Sequence, residues 1–236
     1  MSASRRVAVM QPYFLPYVGY FQLIASVDKF IIYDNIKYTK KGWINRNRLL
    51  AGGTDQLFSL PLRSGSDSLQ VRDRVLADDF QPQKLLAQFH GDYRSAPEFA
   101  RVYALLERVV LHPDRNLFAY VLHSVKAVCA ELGIGTVIQA SSEVGIDHAL
   151  KHQEKVLALC AATAATTYVN AIGGTELYAK EDFAARGVEL RFIRSHPLEY
   201  PQFGQAFVPW LSIVDVMMFN PPEKVREIVS GHYDLL

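Results

Sequence analysis

Three stretches of the 236-residue chain collect side chains able to hold or transform a ligand. The first is Gln11-Pro12-Tyr13-Phe14-Leu15-Pro16-Tyr17-Val18-Gly19-Tyr20. Gln11 can donate and accept hydrogen bonds. Gly19 lets a ligand approach the helix backbone closely, and Tyr20 adds an aromatic surface. The second stretch runs from Asp34 to Arg48 and holds five cations, Lys37, Lys40, Lys41, Arg46 and Arg48, with no acid between Lys37 and Arg48. Such cations suit a phosphate or pyrophosphate, with Arg able to bind in bidentate fashion. Trp43 can stack on a base or sugar, with Asn45 and Asn47 beside it as polar contacts. Asp34 can orient or deprotonate an attacking amine. The third stretch is Tyr168-Val169-Asn170-Ala171-Ile172-Gly173-Gly174-Thr175-Glu176-Leu177-Tyr178. A Gly-Gly between strand and helix presents free backbone N–H groups to an anion. Gln202, in the aromatic stretch 200–204, is a further polar contact.

Other chemistries find less support. His148 and His152 lie four apart in a stretch read as helical, but no HExxH pattern accompanies them, and no metal site is expected. Cys129 and Cys160 sit in apolar helical patterns without CxxC spacing, which predicts buried free thiols. GxSxG, GxGxxG and GxxxxGK[ST] are all absent. Hydrophobic residues make up 50% and charged residues 21% of the chain, and mean hydropathy is +0.04. That balance excludes a disordered chain. The net charge of +1 gives no global attraction to nucleic acid or anionic membrane. The charge is unevenly spread, however: residues 1–50 carry +6 and the remainder −5. No apolar run approaches the ~20 residues of a membrane span, and no cleavable leader is legible, so a cytoplasmic protein is expected.

The elements that must position these stretches follow from periodicity. Val7 to Met10 and Phe30 to Tyr33 read as buried strands, with a helix over 17–27 between them. That spacing is a βαβ unit and predicts parallel pairing. Asn47 to Leu50 and Gln56 to Leu62 form a hairpin about Gly52-Gly53. Val71 to Leu76 reads as a short strand. Helices are expected near 82–93, 97–111 and 114–132, the last capped by Asp114. Strands at 136–140, 168–170 and 188–194 then alternate with helices at 147–162 and 175–186, and helices near 209–219 and 222–231 close the chain. The pattern predicts a single α/β domain over 1–236 with a mainly parallel, Rossmann-like sheet and a helical lobe at about 82–132. All three chemical stretches then follow strands, at the carboxyl ends where open α/β sheets bind ligands.

The residues also carry a resemblance. Gln11-Pro12, Pro16 and Gly19-Tyr20-Phe21 resemble the opening signature of the WbqC-like proteins. So do Lys41-Gly42-Trp43-Ile44-Asn45-Arg46-Asn47-Arg48, Asn170 with Gly173-Gly174, and Phe207-Val208-Pro209-Trp210-Leu211-Ser212 with Asp215. This similarity implies a place in polysaccharide gene clusters, notably O-antigen clusters, and transfer of an aminoacyl group, glycyl for one relative, to a sugar. A weaker similarity joins the first strand, Pro/Gly loop and helix to the nucleotidylyltransferase-like fold of pantothenate synthetases, although Gly19 and Tyr20 stand where that fold carries paired histidines. Together they imply an aminoacyl or acyl transferase acting on an amino sugar or nucleotide-sugar. Asp34 and Arg46 would be catalytic, and Gln11, Gly19, Tyr20, Lys37, Lys41, Trp43, Asn45, Asn47, Arg48, Asn170, Gly173, Gly174, Tyr178 and Gln202 would bind the substrate. ATP, or a nucleotide-sugar with Mg, is the candidate cofactor. An aminoacyl-tRNA is the one nucleic-acid partner to consider, as a donor. An ATP-dependent ligase and a non-catalytic scaffold are the alternatives.

Overall fold

The computed structural model describes residues 5–204 and 206–236. Its strands are β1 (Arg6–Met10), β2 (Lys29–Ile32), β3 (Arg46–Ala51), β4 (Thr54–Ser59), β5 (Val137–Ala140), β6 (Thr167–Ala171), β7 (Glu189–Ser195) and β8 (Tyr233–Leu235). Its helices are α1 (Val18–Ala25), α2 (Pro82–Tyr93), α3 (Phe99–Val110), α4 (Leu117–Leu132), α5 (His152–Ala162), α6 (Lys180–Ala184), α7 (Ile213–Phe219) and α8 (Pro222–Gly231). Six strands form one sheet in the order β5-β2-β1-β6-β7-β8, and β3 pairs with β4 alone. All neighbours in the large sheet are parallel except β8, which runs antiparallel to β7. The fold is therefore α/β with a mainly parallel sheet, consistent with a Rossmann-like architecture.

Central strands of such a sheet are covered on both faces, so they read as continuous apolar runs. Ala8, Phe30, Ile32 and Val169 point to one face and join a large core with α1, α2, α3, α4, α7 and α8. Val7, Val9, Ile31 and Tyr168 point to the other and join a smaller core with α5 and α6. The helices of residues 82–132 share the large core with the sheet and with Leu49, Leu50 and Phe58 of the hairpin.

The chain builds outward from β1 through β2 to β5, then crosses back to β6 on the other side of β1. Strand order thus reverses between β1 and β6, the place where such sheets open a crevice. The pairing registers agree. β1 pairs with β2 through four residues, Val7 to Met10, but with β6 only at Arg6–Thr167 and Val7–Tyr168. Beyond Val7 the ladder between β1 and β6 stops.

Several expectations need correction. Val71 to Leu76 is not a strand: Val71–Asp73 form a 3-10 turn, and only isolated bridges follow, Val75 to Asn116 and Leu76 to Leu62. The cap of α4 is Asn116, whose side chain accepts from the Ala119 amide, while Asp114 accepts from the Asn116 amide. The region 175–186 divides into a 3-10 turn, Ile172–Leu177, and the short α6. α5 begins at His152, so His148 lies in the preceding loop and the two histidines are not paired on one helix. Cys129 and Cys160 are buried free thiols, pushed up to about 12 by burial.

Candidate ligand-binding cleft

The loop after β1 is welded to the hairpin and to the start of α7. Phe14 N–H donates to the Ile44 carbonyl (3.1 Å), Ser212 N–H to the Arg48 carbonyl (2.9 Å) and Ile213 N–H to the Pro16 carbonyl (2.8 Å). Asn47, buried at 6% exposure, donates its amide to the Leu15 carbonyl (2.9 Å) and accepts from Arg48 N–H (2.8 Å). Ser212 Oγ donates to the same Leu15 carbonyl (2.7 Å). Leu15 is held at φ 44°, a conformation costly for a residue with a Cβ. The turned carbonyl and its two donors hold it there.

Three cavities open around this weld. The largest, about 440 Å³, lies where β1 and β6 part and is lined by Met10, Gln11, Tyr13, Tyr17, Gly19, Tyr20, Tyr33, Asn170, Gly173, Gly174 and Tyr178, among others. No charged side chain lines it among the described residues. A second, about 250 Å³, is lined by Tyr13, Pro16, Tyr17, Trp43, Asn47, Arg48 and Trp210. A third, about 350 Å³, is largely apolar and includes Tyr17, Leu198, Phe207, Trp210 and Val216. Tyr17 borders all three, Tyr13 joins the first two, and Trp210 joins the last two. The three cavities are neighbours divided by these rings, and together they make up the cleft region.

The central cavity is a site of amides, hydroxyls and bare backbone. Gln11 Oε1 accepts from Tyr13 OH (3.2 Å), and the Gln11 carbonyl accepts from Tyr20 OH (2.8 Å). The Gln11 side-chain nitrogen has no partner among the described residues. Burial raises the phenols of Tyr13, Tyr17, Tyr20, Tyr33 and Tyr178, so each stays a neutral hydrogen-bonding group at neutral pH. A Cβ at Gly174 would collide with Asn170 Nδ2, so any larger residue there must displace the Asn170 side chain. At Gly19 a Cβ would meet the Tyr17 ring at 2.4 Å. The group that approaches Gly19 is therefore Tyr17, which lies across the first turn of α1.

The cationic stretch does not converge as one cluster. Lys40 pairs with Asp67 (2.7 Å) at the surface. Arg46 folds back on its own loop, donating to the Gly42 carbonyl (3.0 Å) and to the Lys41 carbonyl. Lys37 and Lys41 are exposed and line none of the three cavities. Asn45 accepts from Tyr38 OH (2.8 Å) and donates to the Leu60 carbonyl (2.8 Å), holding the loop in place. Arg48 alone enters the cleft. Its guanidinium lies 5.3 Å from the centre of the Trp43 ring and 3.2 Å from Asp55. Its Nε is buried with no partner among the described residues.

Asp34 is buried at 4% exposure. Ser141 Oγ (2.8 Å), Ser142 N–H (2.9 Å) and Ser142 Oγ all approach its carboxylate. Burial alone would raise this carboxyl, but the donors from Ser142 and Ser141 outweigh it and hold it below the ordinary range. Its neighbour Asn35 accepts from Lys155 (3.2 Å) and meets His148 Nδ1 at 2.9 Å. Asp34 thus ties the end of β2 to the end of β5 beside the cleft. Gln202 also turns inward, at 1% exposure. It donates to Asp215 Oδ1 (2.7 Å) and accepts from Val208 N–H (2.7 Å). Asp215 also receives Tyr200 OH (2.6 Å) and Tyr93 OH (2.8 Å).

The binding residues chosen from the sequence did not include Tyr13 and Tyr17, although both lie in the first stretch, nor Trp210 and Asp215, although both lie in the family motif. A carboxylate inside the apolar run Ile213-Val214-Asp215-Val216-Met217-Met218 was the legible signal for Asp215, since burying a charge needs donors. Nothing local showed that the rings of Tyr17 and Trp210 would meet.

The fold is α/β, and its central cavity opens where the strand order of the mainly parallel sheet reverses. The chain belongs to the WbqC-like protein family, whose model matches residues 11–227. It is 29% identical over 219 residues to the uncharacterized protein Rv1507c of Mycobacterium tuberculosis (strain ATCC 25618 / H37Rv), covering 92% of this chain and 94% of that one. No solved structure matches the chain. No helix among the described residues is long and apolar enough to cross a membrane.

Proposed function

We propose that the cleft binds a phosphate-bearing amino sugar, most simply a nucleotide-linked one, and that the protein transfers an aminoacyl or acyl group to its amine. One observation carries this reading: an uncharged cavity of amides, tyrosines and glycine backbone adjoins a pocket bordered by Trp43 and the Arg48 guanidinium that lies over its ring. Neutral hydrogen-bonding groups and aromatic faces suit a hydroxylated ring. Arg48 suits its phosphate. In the reaction the amine nitrogen attacks the donor carbonyl carbon. A C–N bond forms, the bond from that carbon to the donor oxygen or sulfur breaks, and the amine proton leaves with the departing group.

No titratable acid or base of ordinary range lines the central cavity among the described residues, so an activated donor and close positioning supply the acceleration. In this reading Asp34 and Arg46 serve by holding the walls, Asp34 through Ser141 and Ser142 and Arg46 through the loop 41–46. Gln11, Tyr20, Asn170, Gly173, Gly174 and Tyr178 contact the sugar, and Trp43 and Arg48 hold the phosphate side.

Calorimetric titration tests this with UDP-, GDP- and dTDP-linked amino sugars, the parent nucleotides and ATP, with and without magnesium. One nucleotide-sugar class should bind, and Arg48→Ala should weaken it at least about tenfold, the loss of one charge-assisted contact. Failure of every nucleotide-sugar, or unchanged affinity in Arg48→Ala, overturns the reading. AMP or pyrophosphate release from ATP would replace it with the ligase.

A further inference from the structure

We propose that the apolar cavity behind Trp210 seats the carbon chain of the donor, which is therefore a medium-length acyl or apolar aminoacyl group carried on a neutral ester or thioester. This rests on the transferase reading and names its donor. The cavity, about 350 Å³, has the size of a small-ligand pocket. Val18, Leu198, Phe207, Pro209, Leu211 and Val216 make its wall. Tyr17 and Trp210 separate it from the pocket of Arg48 and border both. A chain lying there would point its carbonyl past these rings toward the sugar cavity. Ser195, His196, Glu199 and Tyr200 complete the lining; His196 already meets Asp234 at 2.9 Å, and Glu199 disfavours a free carboxylate and favours a neutral carrier. A glycyl group has no chain to fill the space.

Two further observations mark the wall as built for a ligand. Trp210 is 65% exposed and held at φ 61°. Burial does not account for a large indole kept in a strained conformation, and such strain gathers at binding sites. The loop that carries Phe207 is anchored from below: Tyr200 and Gln202 both donate to the buried Asp215, and Gln202 fastens the Val208 amide. The wall is thus positioned before a ligand arrives.

The test is a calorimetric series of N-acetylcysteamine thioesters from acetyl to decanoyl, titrated into the unmodified protein. Affinity should rise two- to about fourfold per methylene as each carbon is buried, then level off once the chain outgrows the cavity. A slope below about twofold per methylene overturns the proposal. Leu198→Trp should fill the space and lower octanoyl affinity at least about tenfold while leaving nucleotide-sugar binding intact; unchanged octanoyl affinity in that variant overturns the proposal. Should Leu198→Trp fail to fold, Leu198→Ala reads the same question by moving the optimum to longer chains. Binding to phosphatidylcholine vesicles in place of the thioesters would assign the cavity to membrane lipid and overturn the donor assignment. The two readings fail separately. Loss of nucleotide-sugar binding with the chain-length slope preserved removes the sugar, and the reverse removes the acyl seat.

Discussion

Asn47 and Trp210 border the same pocket, one holding the cleft together and the other forming its exposed rim. Replacing Asn47 with Ala leaves the Leu15 carbonyl short of a donor and Arg48 N–H short of an acceptor. The expected cost is about 1–3 kcal/mol, measurable by urea unfolding. At Trp210 the backbone is at φ 61°. Trp210→Gly should therefore be more stable than Trp210→Ala by about 1 kcal/mol, a reversal of the order seen in a helix. Equal stability of the two variants would mean that the loop relaxes. The two Gly contacts belong to this scale too. A glycine before an aromatic or at a strand end is visible in the sequence, but the neighbour that demands it, Asn170 for Gly174 and Tyr17 for Gly19, is not.

At the scale of elements, the decisive feature is where pairing between β1 and β6 ends. The ladder stops after Val7–Tyr168, and the central cavity occupies the gap. Gly174→Ala should push Asn170 into that gap, costing about 1–3 kcal/mol by overpacking and weakening any ligand of the cavity; calorimetry and thermal unfolding read both. Tyr93 links α2 to two other elements, accepting from Leu50 N–H (2.8 Å) and donating to Asp215. Tyr93→Phe leaves a buried N–H and a buried carboxylate short of partners, and about 1–3 kcal/mol of stability should be lost. Elements with strong periodicity were legible: β1-α1-β2, the hairpin, and the three long helices. Val71 to Leu76 alternates like a strand, but Val71 N–H bonds to the Ile36 carbonyl and Leu76 N–H to the Arg115 carbonyl. Tertiary partners there replace a ladder.

At the scale of the whole molecule, two buried carboxylates shape the pH dependence in opposite directions. Asp34 is held below the ordinary carboxylate range, so its contribution is present above the unfolded value and lost as pH falls through its folded pKa. Asp215 is raised by burial, against the pull of Tyr200, Gln202 and Tyr93. Its contribution is fullest below the unfolded value and lost as pH rises through its folded pKa. Asp34→Asn should therefore flatten the loss of stability on acidification. Asp215→Asn should remove the loss on the rising side. Urea midpoints measured from acid to neutrality distinguish the two; the same change from both substitutions would contradict the assignment.

What could be read from residue order was the local grammar: buried parallel strands from continuous apolar runs, helices from 3.6-residue spacing, a turn from Gly52-Gly53, and a family from motifs that keep their order. Each depends on neighbours along the chain. Whether five cations gather on one anion does not, because it depends on where each side chain finds a partner. Tertiary structure sent Lys40 to Asp67, folded Arg46 onto its own loop, and laid both Arg46 and Arg48 over Trp43. It turned Asp34 and Gln202 inward as ties, and it brought Tyr17 and Trp210, 193 positions apart, to ring centres 6.1 Å from each other. Contacts that distant in sequence arise only when the sheet and its loops close together, and the cleft is made of them.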